Sequence, residues 1–587
     1  MLDGDPTRIG RVRQVMGSQL VVELDPMLAG VAPIYRGQLQ SIGQIGSLVR
    51  IPQGLVDLVG AVTMLGIAEL AGKQAPTDTL HAGERWLQVQ LLGEIDNGTL
   101  RFQRGVGAFP GLDDSVHFAR EEDLSILYPS ANNDRIRVGC LSAAEGIPVS
   151  LDLGKLVSRH SAVVGSTGAG KTSAVASILQ TLSSGNWPSS NIVVIDTHGE
   201  YGRALGTTAA LRSVLGTGAS QLRVPFWALP AADILRAFTG TTAGATTAKS
   251  FATYVTEARR TFVASATWLS LDAALVTADT PVPFDIREVW HKLDFENNET
   301  RDVKPDPTTA KVVTAGSPAS LLPTKFVPNG AGGASPHQGP LYGTHGTTPE
   351  LLRLGLLDPQ LAFLREPEGT VGGPDPLAAA LKEWLGGKKS VSVLDFSGVP
   401  DEAAELAIGV ILKLLFETAI RTPPGDDGIG RPRPVLVVLE EAHRYLSESA
   451  SSMAGVAANR IAREGRKYGV GLMLVTQRPS ELPDTALAQC GTLIALRLTN
   501  SADQGRIRHA LPDSVAGLAE TLPSLRTGEA IISGEAITLP TRTHLDLPDP
   551  LPLAEDPSLS TWRTTPSEEP DVAAALERWR GIYEATP

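Results

Sequence analysis

At 587 residues, with 42% hydrophobic and 20% charged side chains, the chain has room for about two to four globular domains and is neither fibrous nor disordered. Its net charge of −13 excludes a uniformly basic coat for nucleic acid, leaving room only for local positive channels. Two cysteines far apart, Cys140 and Cys490, a start without a basic or apolar leader (MLDGDPTRIG) and no membrane-length apolar run give the expectation of a soluble, cytoplasmic protein with no membrane contact.

In chain order, residues 1–128 read as a small β-barrel. Ile9–Val12, Leu20–Leu24 and Trp86–Leu91 are short apolar or alternating runs, and Gly43, Gly46, Gly54 and Gly60 punctuate them as turns. From Asn133 the pattern becomes one of continuous apolar strands: Ser161–Val164, Asn191–Asp196, Val391–Asp395, Val435–Leu439, Gly471–Val475 and Thr492–Leu496. Helical stretches at Ser173–Leu182, Ala403–Ala419 and Gly455–Lys467 lie between them, so the predicted fold class is α/β, a parallel sheet covered on both faces. Residues 129–204 and 386–549 are expected to form two parts of this core. Residues 205–385 interrupt it as a helical insertion, with helices at Leu351–Leu364 and Pro376–Leu385 and a long Pro/Gly/Thr/Ala-rich loop at Glu299–Thr348. Residues 550–587 form a tail in which Val572, Leu576, Trp579 and Tyr583 fall at helical spacing over Asp571–Tyr583.

The strongest chemical signal is Gly165-Ser166-Thr167-Gly168-Ala169-Gly170-Lys171-Thr172, which fits G-x-x-x-x-G-K-[ST] between an apolar strand and a helix. Glycines let consecutive N–H groups turn inward around phosphates, Lys171 reaches the β/γ-phosphates, and the Thr172 hydroxyl ligates Mg2+. Glu440-Glu441 ends the apolar run Val435–Leu439, where Glu440 would hold Mg2+ and its water shell and Glu441 would polarise the attacking water. Alone, such an acidic pair is as often a solvated edge; the phosphate loop upstream tips the reading to function. Gln477, after the next strand, can contact γ-phosphate and water. Arg460, Arg463, Arg466 and Lys467 offer several candidates for an arginine at a subunit boundary, and Asp196-Thr197-His198-Gly199-Glu200-Tyr201 follows the second strand with the roles of Asp196 and Glu200 open.

Taken together these segments resemble the HerA family of ring-forming ATPases within the FtsK–HerA group. The matching pieces are Ser158-Arg159-His160 before GSTGAGKT, then DTHGEY, VLDFSGVP, VLEEAHRYL, AREGRKYG and VTQRPSELP, in the same order and spacing, from Arg159 to about Arg508. The N-terminal IGRV…IGQIGSLVRIP region is similar to the family's barrel, itself like that of ATP synthase subunits. Thr197 stands where the family often has Pro, and Glu440 where Asp is usual. The resemblance implies a RecA-like core and a homohexamer with ATP and Mg2+ bound between subunits. Carried onto this chain, Glu441 activates water, Gln477 senses the γ-phosphate, Arg466 is the arginine finger and Arg159 a second arginine reaching a neighbour's site.

The expected function is an ATP-driven, helicase-type translocase of double-stranded DNA, threaded through the ring pore. No output chemistry is visible in the chain, so a separate effector is expected on the N-terminal barrel, in DNA end processing or antiviral defence. The resemblance implies a nuclease or a sirtuin-like, NAD-consuming enzyme. A conjugation-type pump fits less well, for want of a membrane anchor. The alternative from another class is an ATP-gated ring scaffold that organises an effector without moving DNA.

Overall fold

The computed structural model describes residues 5–26, 28, 34–35, 38–39, 45–67, 85–216, 218–364, 371–425, 427–446, 452–512, 516–553, 562–563 and 572–580; Gly43, Asp571 and Tyr583 lie outside them. The N-terminal strands are β1 (Arg8–Met16), β2 (Gln19–Leu24), β3 (Ile34–Tyr35), β4 (Gln38–Leu39), β5 (Leu48–Gln53), β6 (Val56–Ile67), β7 (Arg85–Asp96), β8 (Arg101–Arg104) and β9 (Ser115–Phe118). Six of them close in the order β2-β1-β9-β5-β6-β7, because the first half of β7 pairs back onto β2 while its second half carries β8. Alternate residues such as Leu20 and Val22, or Leu87 and Val89, fill the interior. Closure leaves no bare edge in the ring of strands.

Helix α1 (Glu121–Leu127) leads into the hairpin β10 (Arg135–Leu141) and β11 (Ala144–Asp152), then α2 (Leu153–Ser158), β12 (Ser161–Val164), α3 (Lys171–Ser183), β13 (Asn191–Asp196), α4 (Tyr201–Leu205) and β14 (Ala209–Ser213). The middle of the chain adds α5 (Ala231–Thr239), α6 (Ala245–Ser265), α7 (Ile286–Asn298), the short strands β15 (Thr300–Arg301), β16 (Val312–Thr314), β17 (Lys325–Phe326) and β18 (His337–Gln338), and then α8 (Thr348–Leu357) and α9 (Pro376–Trp384). The chain returns through β19 (Val391–Asp395), α10 (Asp401–Arg421), β20 (Val435–Leu439), α11 (Met453–Tyr468), β21 (Val470–Thr476), α12 (Asp484–Gln489), β22 (Thr492–Leu496), α13 (Ser501–Ala510), α14 (Ala516–Ala519), β23 (Glu529–Gly534) and β24 (Thr541–Leu545); α15 (Ala573–Trp579) comes last.

The large sheet runs β11-β10-β24-β23-β22-β12-β21-β20-β13-β19-β14. From β22 to β14 every pairing is parallel, whereas β23, β24, β10 and β11 extend it antiparallel. The six strands read from sequence are all in the parallel part; β14 and the antiparallel extension are additions. Along one strand the side chains divide between two apolar layers: Val435, Val437 and Leu439 join one, Leu436 and Val438 the other. That two-sided burial is why the strands lack polar alternation.

The Glu299–Thr348 segment is not a bare loop. β15 pairs with β18 and β16 with β17, and Glu299, Thr300, Leu321, Thr324 and His345 are buried beside α7. The insertion is centred on Arg259 of α6, which is 0% exposed. Its guanidinium donates to the carbonyls of Trp227, Leu229 and Ala278 and lies 5.2 Å from the centre of the Phe284 ring, and burial pushes its pKa down to about 10. Arg259→Leu would leave the buried Trp227 and Leu229 carbonyls without their donor, while the Ala278 carbonyl keeps the Ala231 N–H. Denaturant unfolding should show a loss of about 3–5 kcal/mol, and a variant as stable as the parent would mean that water replaces the guanidinium.

Candidate active site

The phosphate loop begins where β12 stops. Gly165 N–H donates to the Thr476 carbonyl (3.3 Å) and Ser166 N–H to the Arg497 carbonyl (2.9 Å), so the loop is moored to the ends of both neighbouring strands. Gly168 and Gly170 have φ of +73° and +100°, the left-handed region in which a side chain is strained, and a Cβ on Gly165 would meet Leu496 at 2.9 Å. The Ala169 carbonyl accepts from Gly528 N–H at 3.1 Å, which fixes the loop from beneath. Gly170 then caps α3, whose first free N–H groups together with those of the loop make a nest for phosphate. Lys171 and Thr172 open that helix.

Strand order brings the other groups to the same edge. β21 lies between β12 and β20, and β13 lies beyond β20, so the residues after Val164, Thr476, Leu439 and Asp196 sit side by side. Gln477 accepts from the Thr167 hydroxyl at 2.7 Å, directly across the loop. Glu441 adopts φ +47°, a strained setting for a residue with a side chain, and is 8% exposed. Its Oε2 is buried without a hydrogen bond, 3.2 Å from His443 Nδ1, which pairs with the Thr476 hydroxyl at 3.0 Å. A buried carboxylate oxygen with no donor suits a water molecule that needs a base.

The DTHGEY segment divides into distinct tasks. Both oxygens of Asp196 are taken by the main chain: Oδ1 accepts from the N–H groups of His198, Gly199 and Glu200, and Oδ2 from that of Tyr201. Asp196 therefore folds the turn that presents the next two side chains. Glu200 Oε2 accepts from the Thr172 hydroxyl at 2.7 Å. The Tyr201 hydroxyl donates to Glu440 Oε1, so in this chain Glu440 is engaged by Tyr201 and Glu200 is the carboxylate touching Thr172. Burial, with Asp196, Glu441 and Glu200 nearby, pushes Glu440 up to about 8. Among the described residues no cage of three or more His, Cys, Asp or Glu side chains exists for a metal. Thr172 with Glu200 bonded to it, and Glu440 near Glu200, offers the sparse oxygen set that Mg2+ uses when phosphates and waters complete its shell. Tyr201 and His443 are the site residues that sequence reasoning left unassigned; the signal for both was their place within HGEY and EEAHRYL.

The two candidate arginines stand elsewhere. Arg159 precedes β12 and Arg466 lies in the last turn of α11, just before β21, so both sit at the sheet edge opposite the phosphate loop. With β21 seven residues long, that edge is about 20 Å from Gln477. Arg466 is exposed and, among the described residues, makes no ion pair. Arg460 instead pairs with Glu417 and covers the Phe416 ring, while Arg463 and Lys467 are exposed. His160, φ +50° and 4% exposed, joins the elements: its Nδ1 accepts from Leu472 N–H at 2.9 Å, and the ring also bonds the Ala462 carbonyl of α11.

A glycine-rich phosphate nest, an acidic pair one strand away and a polar sensor on the strand between define a P-loop ATPase with a RecA-like core. The family model for the central domain of helicase HerA matches residues 136–312, and that for the HerA-like C-terminal domain matches residues 377–540. Together they span more than half of the chain, which belongs to the HerA family. A probable helicase of Methanocaldococcus jannaschii is 25% identical over 81% of this chain and 82% of its own length. The DNA double-strand break repair helicase HerA of Pyrococcus furiosus is 26% identical over 77% of this chain and 76% of its own. Among solved structures, VirB4 of Thermoanaerobacter pseudethanolicus superposes with a TM-score of 0.43 at 14% identity, covering 71% of this chain and 97% of that one. Among the described residues no helix is long and apolar enough to cross a membrane.

His160 makes stability depend on pH. Burial pushes it down to about 4, and its Nδ1 must stay unprotonated to accept from Leu472. A depressed pKa contributes stability that is complete above the unfolded value near 6.5 and is lost as pH falls toward 4, on the order of 3 kcal/mol in all. Thermal melts from pH 7 to 4 should therefore fall more steeply for the parent than for His160→Gln; parallel curves would remove His160 as the cause.

Proposed function

We propose that this ATPase is a translocase of double-stranded DNA that works as a homohexameric ring, with each nucleotide bound between neighbouring chains. The observation that carries the reading is the separation of phosphate loop and arginines across the width of the sheet. Arg466 and Arg159 cannot reach the nucleotide of their own chain, and a head-to-tail ring brings one edge of each sheet to the opposite edge of the next. In that arrangement Arg466 is the arginine finger and Arg159 the second arginine, neutralising charge that develops on the γ-phosphate.

Within one site the roles divide by position. The loop from Gly165 to Thr172 cradles the phosphates, and Lys171 reaches the β- and γ-phosphates. Glu441 takes the proton of the attacking water through its unpartnered oxygen, with His443 holding the neighbouring Thr476. Gln477, bonded to Thr167, senses the γ-phosphate. Mg2+, held by Thr172 with Glu440 and Glu200 nearby, neutralises phosphate charge when bound, and the crowded carboxylates around Glu440 suit such a cation. Duplex DNA as the track is supported by the repair-helicase name of the Pyrococcus relative. A ring built from chains that each carry a net charge of −13 must gather its basic groups in the pore.

Hydrolysis by the assembled chain should rise when duplex DNA is added at low salt. Binding to phosphates releases counterions, so the stimulation should fall steeply between about 50 and 200 mM salt. Hydrolysis indifferent to DNA throughout would favour an ATP-gated scaffold instead.

On this reading the output belongs to a separate effector enzyme, a nuclease or a sirtuin-like, NAD-consuming enzyme, docked on the ring of barrels in DNA end processing or antiviral defence. Leu55 and Leu100 support that docking: they are 86% and 61% exposed, and the turns bearing them are tied by the Asn97 N–H to the Leu55 carbonyl (3.0 Å). Leu100 is held at φ +52° in the β7–β8 turn, where its N–H donates to the Asp96 carbonyl at 2.8 Å. Leu55→Glu combined with Leu100→Glu should abolish co-purification with the product of the neighbouring gene while leaving hydrolysis intact; retained binding would move the docking surface away from this end of the barrel.

A further inference from the structure

The edge of the sheet that carries Arg159 is bound to the barrel by a compact set of contacts that the ATPase reaction does not itself require. Arg104, at the end of β8, reaches across to the turn between β23 and β24. Its Nε donates to the Thr538 carbonyl (2.9 Å) and its Nη2 to the carbonyls of Gly534 (2.8 Å) and Ile537 (2.5 Å). Glu535 lies inside that same turn and pairs with the Arg159 guanidinium. The backbone closes around the pair: Glu535 N–H donates to the Gly491 carbonyl and Gly491 N–H to the Arg159 carbonyl, each at 2.7 Å.

Two glycines make this closeness possible. Gly534 has φ +124°, and a Cβ there would stand 2.1 Å from the Gly491 carbonyl oxygen; a Cβ on Gly491 would stand 2.9 Å from the Arg159 carbonyl oxygen. Arg159 is followed by His160, which fixes the same corner to α11 and β21 through Ala462 and Leu472. Barrel, turn, Arg159 and the helix bearing Arg466 are thus one continuous run of direct bonds. Glu535 engages Arg159 through Nη1, and a guanidinium has five N–H donors, so the remaining donors stay available to a neighbour's phosphate.

We infer that Glu535 is a positioning residue for Arg159, and that Arg104 ties this positioning to the barrel. A flexible arginine held in one setting before assembly meets the next chain's nucleotide without a search through its rotamers. A partner seated on the barrel then acts on hydrolysis through the Arg104 turn. This rests on the reading of Arg159 as an arginine that serves a neighbouring site.

In the assembled full-length protein, Glu535→Ala should lower kcat for ATP by about 2- to 30-fold with KM for ATP unchanged, and Glu535→Asp should recover part of the loss. Because the affected arginine serves the next chain, mixing Glu535→Ala with Lys171→Ala chains should raise activity above the average of the two. A fault confined to the chain's own site would gain nothing from mixing. The control is Arg466→Ala mixed with Lys171→Ala. If the control gains and the Glu535 mixture does not, or if Glu535→Ala keeps or raises kcat, the positioning role is wrong. If the control also gains nothing although chains exchange by mass, the ring reading falls and this inference with it. Arg104→Ala should speed hydrogen exchange at the Gly491 and Glu535 amides and lower kcat in the same direction, with Arg104→Lys between; unchanged exchange and rate would remove Arg104 from the coupling.

Discussion

The parallel pairing of β12, β21, β20 and β13 is the constraint on which the rest of this molecule depends. Parallel strands point their C-terminal ends one way, and neighbours lie only about 5 Å apart. The segments after Val164, Thr476, Leu439 and Asp196 are therefore forced together although up to about 300 residues separate them in the chain. Phosphate loop, sensor, acidic pair and the HGEY turn need no other device to converge. Continuous apolar strands are the condition for this, since both faces of the sheet are covered by helices, barrel and insertion.

Convergence crowds negative charge. Asp196, Glu440 and Glu441 are buried and Glu200 is half-buried against Thr172, and the chain manages three of them by giving each a different partner. Asp196 is absorbed by four backbone N–H groups, Glu200 by Thr172 and Glu440 by Tyr201, while one oxygen of Glu441 is left without a donor. A carboxylate unsatisfied in such surroundings is expensive to keep, which argues for use rather than packing. The left-handed backbone at Glu441 adds strain at the same point.

The opposite edge of the sheet is organised by different physics. There a single ion pair and backbone hydrogen bonds do the holding: Arg159 pairs with Glu535 and its carbonyl accepts from Gly491 N–H, while His160 joins the end of α11 and β21 through the Ala462 carbonyl and the Leu472 N–H. This edge also joins the barrel, through Arg104 and the antiparallel strands β10, β11, β23 and β24, which continue the motor sheet toward the N-terminal barrel. One sheet therefore carries a phosphate-binding edge and an arginine-bearing edge, with the barrel bonded to the second through Arg104 and packed on α14 near the first.

Much of this was legible in the sequence, and the reason is locality. The phosphate loop is eight consecutive residues whose glycine pattern follows from backbone geometry, and the six apolar runs are local records of strands buried on two sides. The α/β class follows from these features alone. What the sequence obscured was structure stabilised from outside the segment. Helix α6 buries Thr247, Phe251, Val255, Arg259 and Val263, and two polar members conceal its stripe. The Glu299–Thr348 segment has a loop's composition yet is ordered by α7 and by pairings of only two or three residues. Strands β10, β11, β23 and β24 join one sheet across about 400 residues, which no local pattern records. The sequence by itself determined the chemistry and the fold class, because both are written in short runs of residue type. Only the tertiary structure decided which carboxylate touches Thr172, which is held by Tyr201, and on which edge each arginine stands, because those are distances between segments remote in the chain.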